Sequence, residues 1–162
     1  MNAPAIRQAT PSDRAKIKQI IDLSFPRFFR FFATHSLDSE GKVLVAESES
    51  EGAVVGFAKL ITFHVGNGKY GCVLWLATHP DFRRKGFAAA LVKAGTEYLK
   101  GNGAEAVFAS VNRRNKASLA VFAKAGFRRM GVVGLWRLFS WRVFAFYRDI
   151  WFAPSEIVLM HG

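Results

Sequence analysis

The chain has 162 residues, of which 51% are hydrophobic and 22% charged, with a formal net charge of +11; this suits one domain over residues 1–162 with a real core and excludes a disordered chain. Its single cysteine, Cys72, excludes an internal disulfide framework and a cysteine-based metal cluster. There is no apolar run of the roughly 18 residues a spanning helix needs and no N-terminal secretory pattern, so a soluble cytoplasmic protein is expected.

The charge is uneven. Residues 1–80 hold nine Lys/Arg against seven Asp/Glu, whereas residues 81–148 hold fourteen against three. Such a stretch is either a solvated basic face or a surface for an anionic partner: a phosphorylated cofactor, a nucleic acid or an acidic membrane.

Residues 4–9 read as a short strand. Thr10-Pro11-Ser12-Asp13 announces a helix, with a Thr N-cap, Pro at the first position and an acid in the first turn. Ile17, Ile20 and Ile21 continue it at helical spacing until Pro26 interrupts. Phe28, Phe29, Phe31 and Phe32 follow, interleaved with Arg27 and Arg30. Lys42–Glu47 and Ala53–Thr62 are strands flanking an acidic turn, Ser48–Gly52. Asn67-Gly68 is a hairpin signal, and Gly71–Thr78 is the next strand. Gly86–Lys100 is helical, with Leu91, Val92, Gly95 and Leu99 on one face and Gly101 as its cap. Ala106–Val111 is a strand, and Asn115–Ala125 a helix capped by Gly126. A sixth strand spans Phe127 to about Gly134, and Glu156–Met160 is the last. Strands and helices alternate, so the class is α/β (α+β) around one mixed sheet.

Two glycine patterns invite a phosphate reading. Gly66-x-Gly68-x-x-Gly71 matches a dinucleotide fingerprint literally, but strand continues where a helix must open, so it reads as a hairpin. Leu76 to Ala88 differs: a strand ends at Pro80, a basic loop turns, and a helix opens near Gly86. The first N–H groups of a helix lack internal partners and its dipole favours anions there. Gly86 and Ala88 leave room against the backbone, and Arg83, Arg84 and Lys85 add charge. The alternative is an ordinary basic loop capping a core helix.

Arg83-x-x-Gly86-x-Ala88 after Thr78-His79-Pro80 resembles the signature Arg/Gln-x-x-Gly-x-Gly/Ala of the GNAT superfamily of N-acetyltransferases. Asn115 to Phe127 is similar to that family's Asn-x-x-Ala-x-x-x-Tyr-x-x-x-Gly-Phe helix. The resemblance implies a GNAT-like fold: about seven strands, about four flanking helices, and splayed fourth and fifth strands. It implies acetyl transfer from acetyl-CoA to a primary amine by direct attack in a ternary complex, with no metal. The pantetheine arm would bond the backbone of Leu76 and Thr78. Amides in the segment Arg83, Arg84, Lys85, Gly86, Ala88 and Ala89 would hold the pyrophosphate, and Asn115 would bond the arm near its reactive end.

The pattern departs from the family where protons are handled. Phe122 replaces the usual tyrosine, and Ser110 and the region of Cys72 replace glutamates of some relatives. Glu47, His64, His79 and Tyr147 are candidate bases, with Glu47 and His79 carried forward; alternatively the amine arrives neutral. His35 and His161 lack partners at metal spacing, and Cys72 reads as a small hydrophobe. Phe25–Phe32 and Leu135–Phe152 are extra core, an apolar acceptor pocket or homodimer contact, or a peripheral membrane contact. The acceptor is a small-molecule or peptide amine. A coenzyme-sensing module with weak catalysis, and a basic nucleic-acid-binding protein motivated by a pI near 10.3, are the alternative functions.

Overall fold

A computed structural model describes residues 4–50 and 52–162, so Glu51 of the acidic turn lies outside the described residues. Among the described residues, seven strands form one mixed sheet in the order β1-β2-β3-β4-β5-β7-β6. They are β1 (Ala5–Gln8), β2 (Lys42–Ser48), β3 (Ala53–Val65), β4 (Gly68–Thr78), β5 (Val107–Asn112), β6 (Arg128–Arg129) and β7 (Glu156–His161). The helices among the described residues are α1 (Arg14–Ser24), α2 (Arg27–Ser36), α3 (Phe87–Gly101), α4 (Lys116–Lys124), α5 (Val132–Phe139) and α6 (Val143–Asp149). The mixed sheet is as expected, with β4 and β5 parallel. Their ladder joins Gly71–Val73 to Val107–Ala109, and both strands run on beyond it.

The chain divides into two compact units. The first holds residues up to Leu60 and Trp75–Gly95; the second holds Ile61–Leu74 and Thr96–Gly162. In the first unit, the apolar stripe of α1 drives assembly: Ile17, Ile20 and Ile21 bury against Val45, Phe57 and Ala77. Its start is held by Asp13, whose Oδ2 accepts from the Thr10 amide at 2.7 Å and hydroxyl at 2.9 Å. Arg7 grips the same carboxylate at 2.7 and 3.0 Å. Pro26 ends one helix and begins another: it caps α2, placing the Phe-rich segment on a helix rather than in a loop. Fully buried Lys59 is satisfied because its ammonium donates to the Ser39 carbonyl at 2.8 Å, beyond the end of α2.

The second unit is built on aromatic packing. Phe108 and Phe146 meet at 4.8 Å and Phe139 stacks on Phe146 at 4.7 Å, with Phe63 and Tyr70 around them. This core explains one correction. The sixth strand is two residues long, not a strand to Gly134, because Leu135 and Phe139, one turn apart, bury into the aromatic cluster. That helical burial overrides the β-branched pair Val132-Val133. Two smaller corrections concern glycines. The hairpin turns at Gly66, which has φ 63°, and β4 already begins at Gly68. The glycine that ends α3 is Gly103, φ 88°, with Gly101 inside the helix. Ala104 N–H reaches back to the Leu99 carbonyl at 3.1 Å, the long bond of a Schellman ending.

Candidate functional site

The loop expected to accept phosphate belongs to the first unit. β4 ends at Thr78, and the His79 amide donates to the Val55 carbonyl at 2.7 Å, fixing the strand exit. Pro80–Phe82 form a single 3-10 turn. Arg83 is extended, and its Nε reaches the Thr78 carbonyl at 3.4 Å, tying the loop back to the strand. Arg84 and Gly86 then adopt left-handed backbone, φ 62° and 87°. A non-glycine residue held there is an unfavourable conformation that the surroundings must enforce.

The first helical bond of α3 runs from the Ala90 amide to the Gly86 carbonyl at 3.0 Å. The amides that precede it, Arg84 to Ala89, donate to no protein acceptor among the described residues. They form a run of donors at the positive end of a 15-residue helix. A Cβ added at Gly86 would meet nothing within 4 Å, so the space over these amides is open. Lys85 holds its ammonium 4.8 Å from the centre of the Phe82 ring, keeping a cation beside the loop. A cavity of about 330 Å³ lies against the loop, lined by Lys16, Val55, His79, Asp81, Phe82 and Lys85 among others.

The end of β4 carries two features that residue order does not signal. Thr78 Oγ1 and Trp75 Nε1 are buried without hydrogen-bond partners among the described residues. Trp75 packs edge-on against Phe25 at 5.4 Å and near Phe29 at 6.3 Å. The half-buried Leu76 lies between them, in the stretch of β4 that extends past the β5 ladder.

Asn115 and Phe122 belong to the second unit. Asn115 caps α4, its Oδ1 accepting from the Ser118 amide at 3.1 Å, and it is exposed. Phe122 is buried and packs edge-on against Phe127 at 5.0 Å. The position is a core position with no proton to give. Cys72 is fully buried, and burial pushes its thiol far above the ordinary range. Sequence reasoning missed Glu156, whose Oε2 accepts from Ser110 Oγ at 2.5 Å and from the Ala153 amide at 3.0 Å. The pairing of β5 with β7 brings them together across 46 positions.

Of the candidate bases, Glu47 and His79 are engaged by polar partners. Glu47 pairs with Arg7 at 2.6 Å, which compensates its charge. His79 Nδ1 accepts from the Asp81 amide at 3.3 Å, so in the neutral ring Nε2 carries the proton and donates. Tyr147 packs at a tilt against Phe152, ring centres 4.7 Å apart, in the second unit, where His64 is exposed. No group of three or more His, Cys, Asp or Glu is placed to hold a metal among the described residues. Nor is any described helix long and apolar enough to cross a membrane.

The sequence model of the acetyltransferase (GNAT) family matches residues 10–127. A curated relative, mycothiol acetyltransferase of Stackebrandtia nassauensis, is 33% identical over 92 residues, which span 57% of this chain and 30% of that protein. This chain thus aligns with under a third of that relative's length. Among solved structures, a GNAT-family protein from Desulfovibrio desulfuricans superposes with TM-score 0.74 at 19% identity, covering 99% of both chains. A GNAT superfamily phosphinothricin acetyltransferase from Sinorhizobium meliloti, in complex with AcCoA, gives 0.66 at 17%, covering 99% of this chain and 88% of the other. Likeness at that identity speaks for the fold.

Proposed function

The chain belongs to the acetyltransferase (GNAT) family, and from that premise we propose that it moves an acetyl group from acetyl-CoA to a primary amine. The observation that carries the reading is the run of amides from Arg84 to Ala89 with no protein acceptor, opened by left-handed Gly86 at the head of α3. Such a run suits a pyrophosphate: several N–H groups converge, the helix dipole favours the charge, and Arg83, Arg84 and Lys85 raise the local potential. The backbone of Leu76 and Thr78, in the part of β4 beyond its ladder, is the edge for the pantetheine arm. Asn115 retains its side-chain NH2 as a donor while its Oδ1 caps α4.

Transfer proceeds by attack of the amine nitrogen on the thioester carbon, with the C–S bond breaking and the coenzyme leaving as thiolate. A backbone N–H between Leu76 and Thr78 would meet the developing oxyanion, a contribution commonly worth about 3 kcal/mol. With Glu47 paired to Arg7 and Phe122 unable to donate, the amine enters neutral or loses its proton through water, and the proton its nitrogen sheds on becoming the amide passes through water to solvent or to the departing thiolate. The thiolate needs no dedicated acid to depart. The acceptor is a small-molecule or peptide amine.

A thermal-shift screen tests the reading. Acetyl-CoA at about a hundred times its Kd should add about 2.7 kcal/mol, a rise of roughly 5–10 °C in Tm, and adenosine should add little. An amine panel read by thiol release follows. No shift with any acyl-coenzyme A would overturn the cofactor assignment. A shift without turnover on any amine would make the chain a coenzyme-binding module.

A further inference from the structure

The second unit presents an exposed apolar surface on α5 and α6. Along α5, the 3-10 turn Ser140–Arg142 and α6, the inward side chains are Leu135, Phe139, Val143 and Phe146, all buried in the aromatic core. Val132, Val133, Trp136, Trp141 and Phe144 face away and are 51–74% exposed. On α5, Val132, Val133 and Trp136 share one arc, with Arg137 at its edge. Five large apolar side chains on one short segment exceed the scattered exposure of an ordinary surface.

Charge accompanies the apolar residues. Arg137 follows Trp136 and is exposed, and Arg142 places its guanidinium 5.2 Å from the Trp141 ring centre. The second unit holds eleven Lys/Arg against four Asp/Glu. Tryptophan and phenylalanine beside arginine is the composition of a helix lying in a bilayer interface, where rings enter the acyl boundary and guanidinium groups stay with the headgroups. With 8 and 7 residues, α5 and α6 are far too short to span and suited to lie flat.

We propose that the α5–α6 face seats on an anionic lipid surface, with Trp136, Trp141 and Phe144 inserted and Arg137 and Arg142 paired to lipid phosphates or carboxylates. A bilayer fits better than a second copy of the chain. A two-fold contact through this face would oppose its arginines to their own copies with no acidic counterpart but Asp149, which already accepts from Arg148 at 2.9 Å. A nucleic acid would satisfy the arginines but leave Val132 and Val133 without a partner.

Co-sedimentation of the full chain with phosphatidylcholine vesicles containing about 30% phosphatidylserine tests this. The parent should pellet with these vesicles, bind pure phosphatidylcholine at least about fivefold more weakly, and dissociate in high salt. The triple variant Trp136→Ala, Trp141→Ala, Phe144→Ala should lose about tenfold or more in partitioning at an unchanged Tm, because these side chains are exposed. Should its Tm fall, Arg137→Glu provides the second readout, weakening binding to anionic vesicles alone. A parent that stays in the supernatant overturns the proposal, as does vesicle binding that all the variants keep. So does a parent dimer that the triple variant dissolves while vesicles remain unbound, or tighter binding to a short RNA than to vesicles.

Discussion

Replacing Gly86 separates the cost of its backbone from the cost of what it faces. Its φ is 87°, and an added Cβ meets nothing within 4 Å. Alanine there pays only for left-handed backbone, about 1–2 kcal/mol. Gly103, at the far end of the same helix, has φ 88° and the same empty surroundings. The two alanine variants should therefore lose similar stability, roughly 2–8 °C in Tm at 2–4 °C per kcal/mol. Only Gly86 lies among the unpartnered amides, so only Gly86→Ala should weaken coenzyme A binding. If the pyrophosphate binds as proposed, a Gly86→Glu carboxylate within about 5 Å of it meets like charge. At an effective dielectric near 20, each unit charge then repels by about 3 kcal/mol, more than a hundredfold in Kd. Calorimetric titration of coenzyme A into all three variants, alongside melts, reads both quantities. The reasoning fails if Gly86→Glu binds like the parent, or if Gly103→Ala weakens binding as much as Gly86→Ala does.

Two further outcomes follow from buried ionisable groups. The Arg7 guanidinium, with help from Thr10, holds the Asp13 carboxyl well below its usual 3.8. A folded-state value below the unfolded one gives stability that is complete above about pH 5 and is lost as pH falls through and below about 4. Asp13→Asn should cost about 2 kcal/mol near neutral pH and flatten the acid limb of stability; urea melts between about pH 7 and 3 giving parallel curves for both proteins would refute the assignment. Cys72, fully buried with its thiol pushed up, should react with a thiol reagent only on unfolding. Cys72→Ala should keep turnover, and a native thiol that titrates at once, or a folded Cys72→Ala variant without activity, would contradict the direct-attack reading.

Much of the fold is readable from local periodicity because local burial decides it. Leu91, Val92 and Leu99 recur on one face of α3 and all three are buried. The strands Lys42–Glu47 and Ala53–Thr62 are readable for the same reason. The readings that shift are those where tertiary burial competes with propensity. Val132-Val133 favours strand, yet Leu135 and Phe139 draw the segment into a helix against Phe108 and Phe146. Pro26 breaks α1, and the same fixed backbone also starts α2, over aromatic residues to which the sequence assigns no element. Which glycine ends α3 depends on where the helix stops paying for itself, a difference of two residues that periodicity does not resolve.

The candidate site divides along a similar line. The proposed coenzyme loop is legible because its donors are consecutive backbone amides: any chain that ends a strand, turns with Gly86 and starts a helix displays them, almost regardless of side chain. Residues that would act on protons are not consecutive. Ser110 acquires its carboxylate from Glu156, 46 positions away, through the register of β5 on β7. Glu47 loses its freedom to Arg7 through the register of β1 on β2, which sets Ala5 opposite Glu47 and Ile6 opposite Ala46. Those registers are fixed by burial across the sheet and leave no mark at fixed spacing. A cofactor bound through the backbone of one contiguous segment is thus written locally. An acceptor bound through side chains gathered from separate segments is not. The class of donor can be read from this chain long before the identity of the amine.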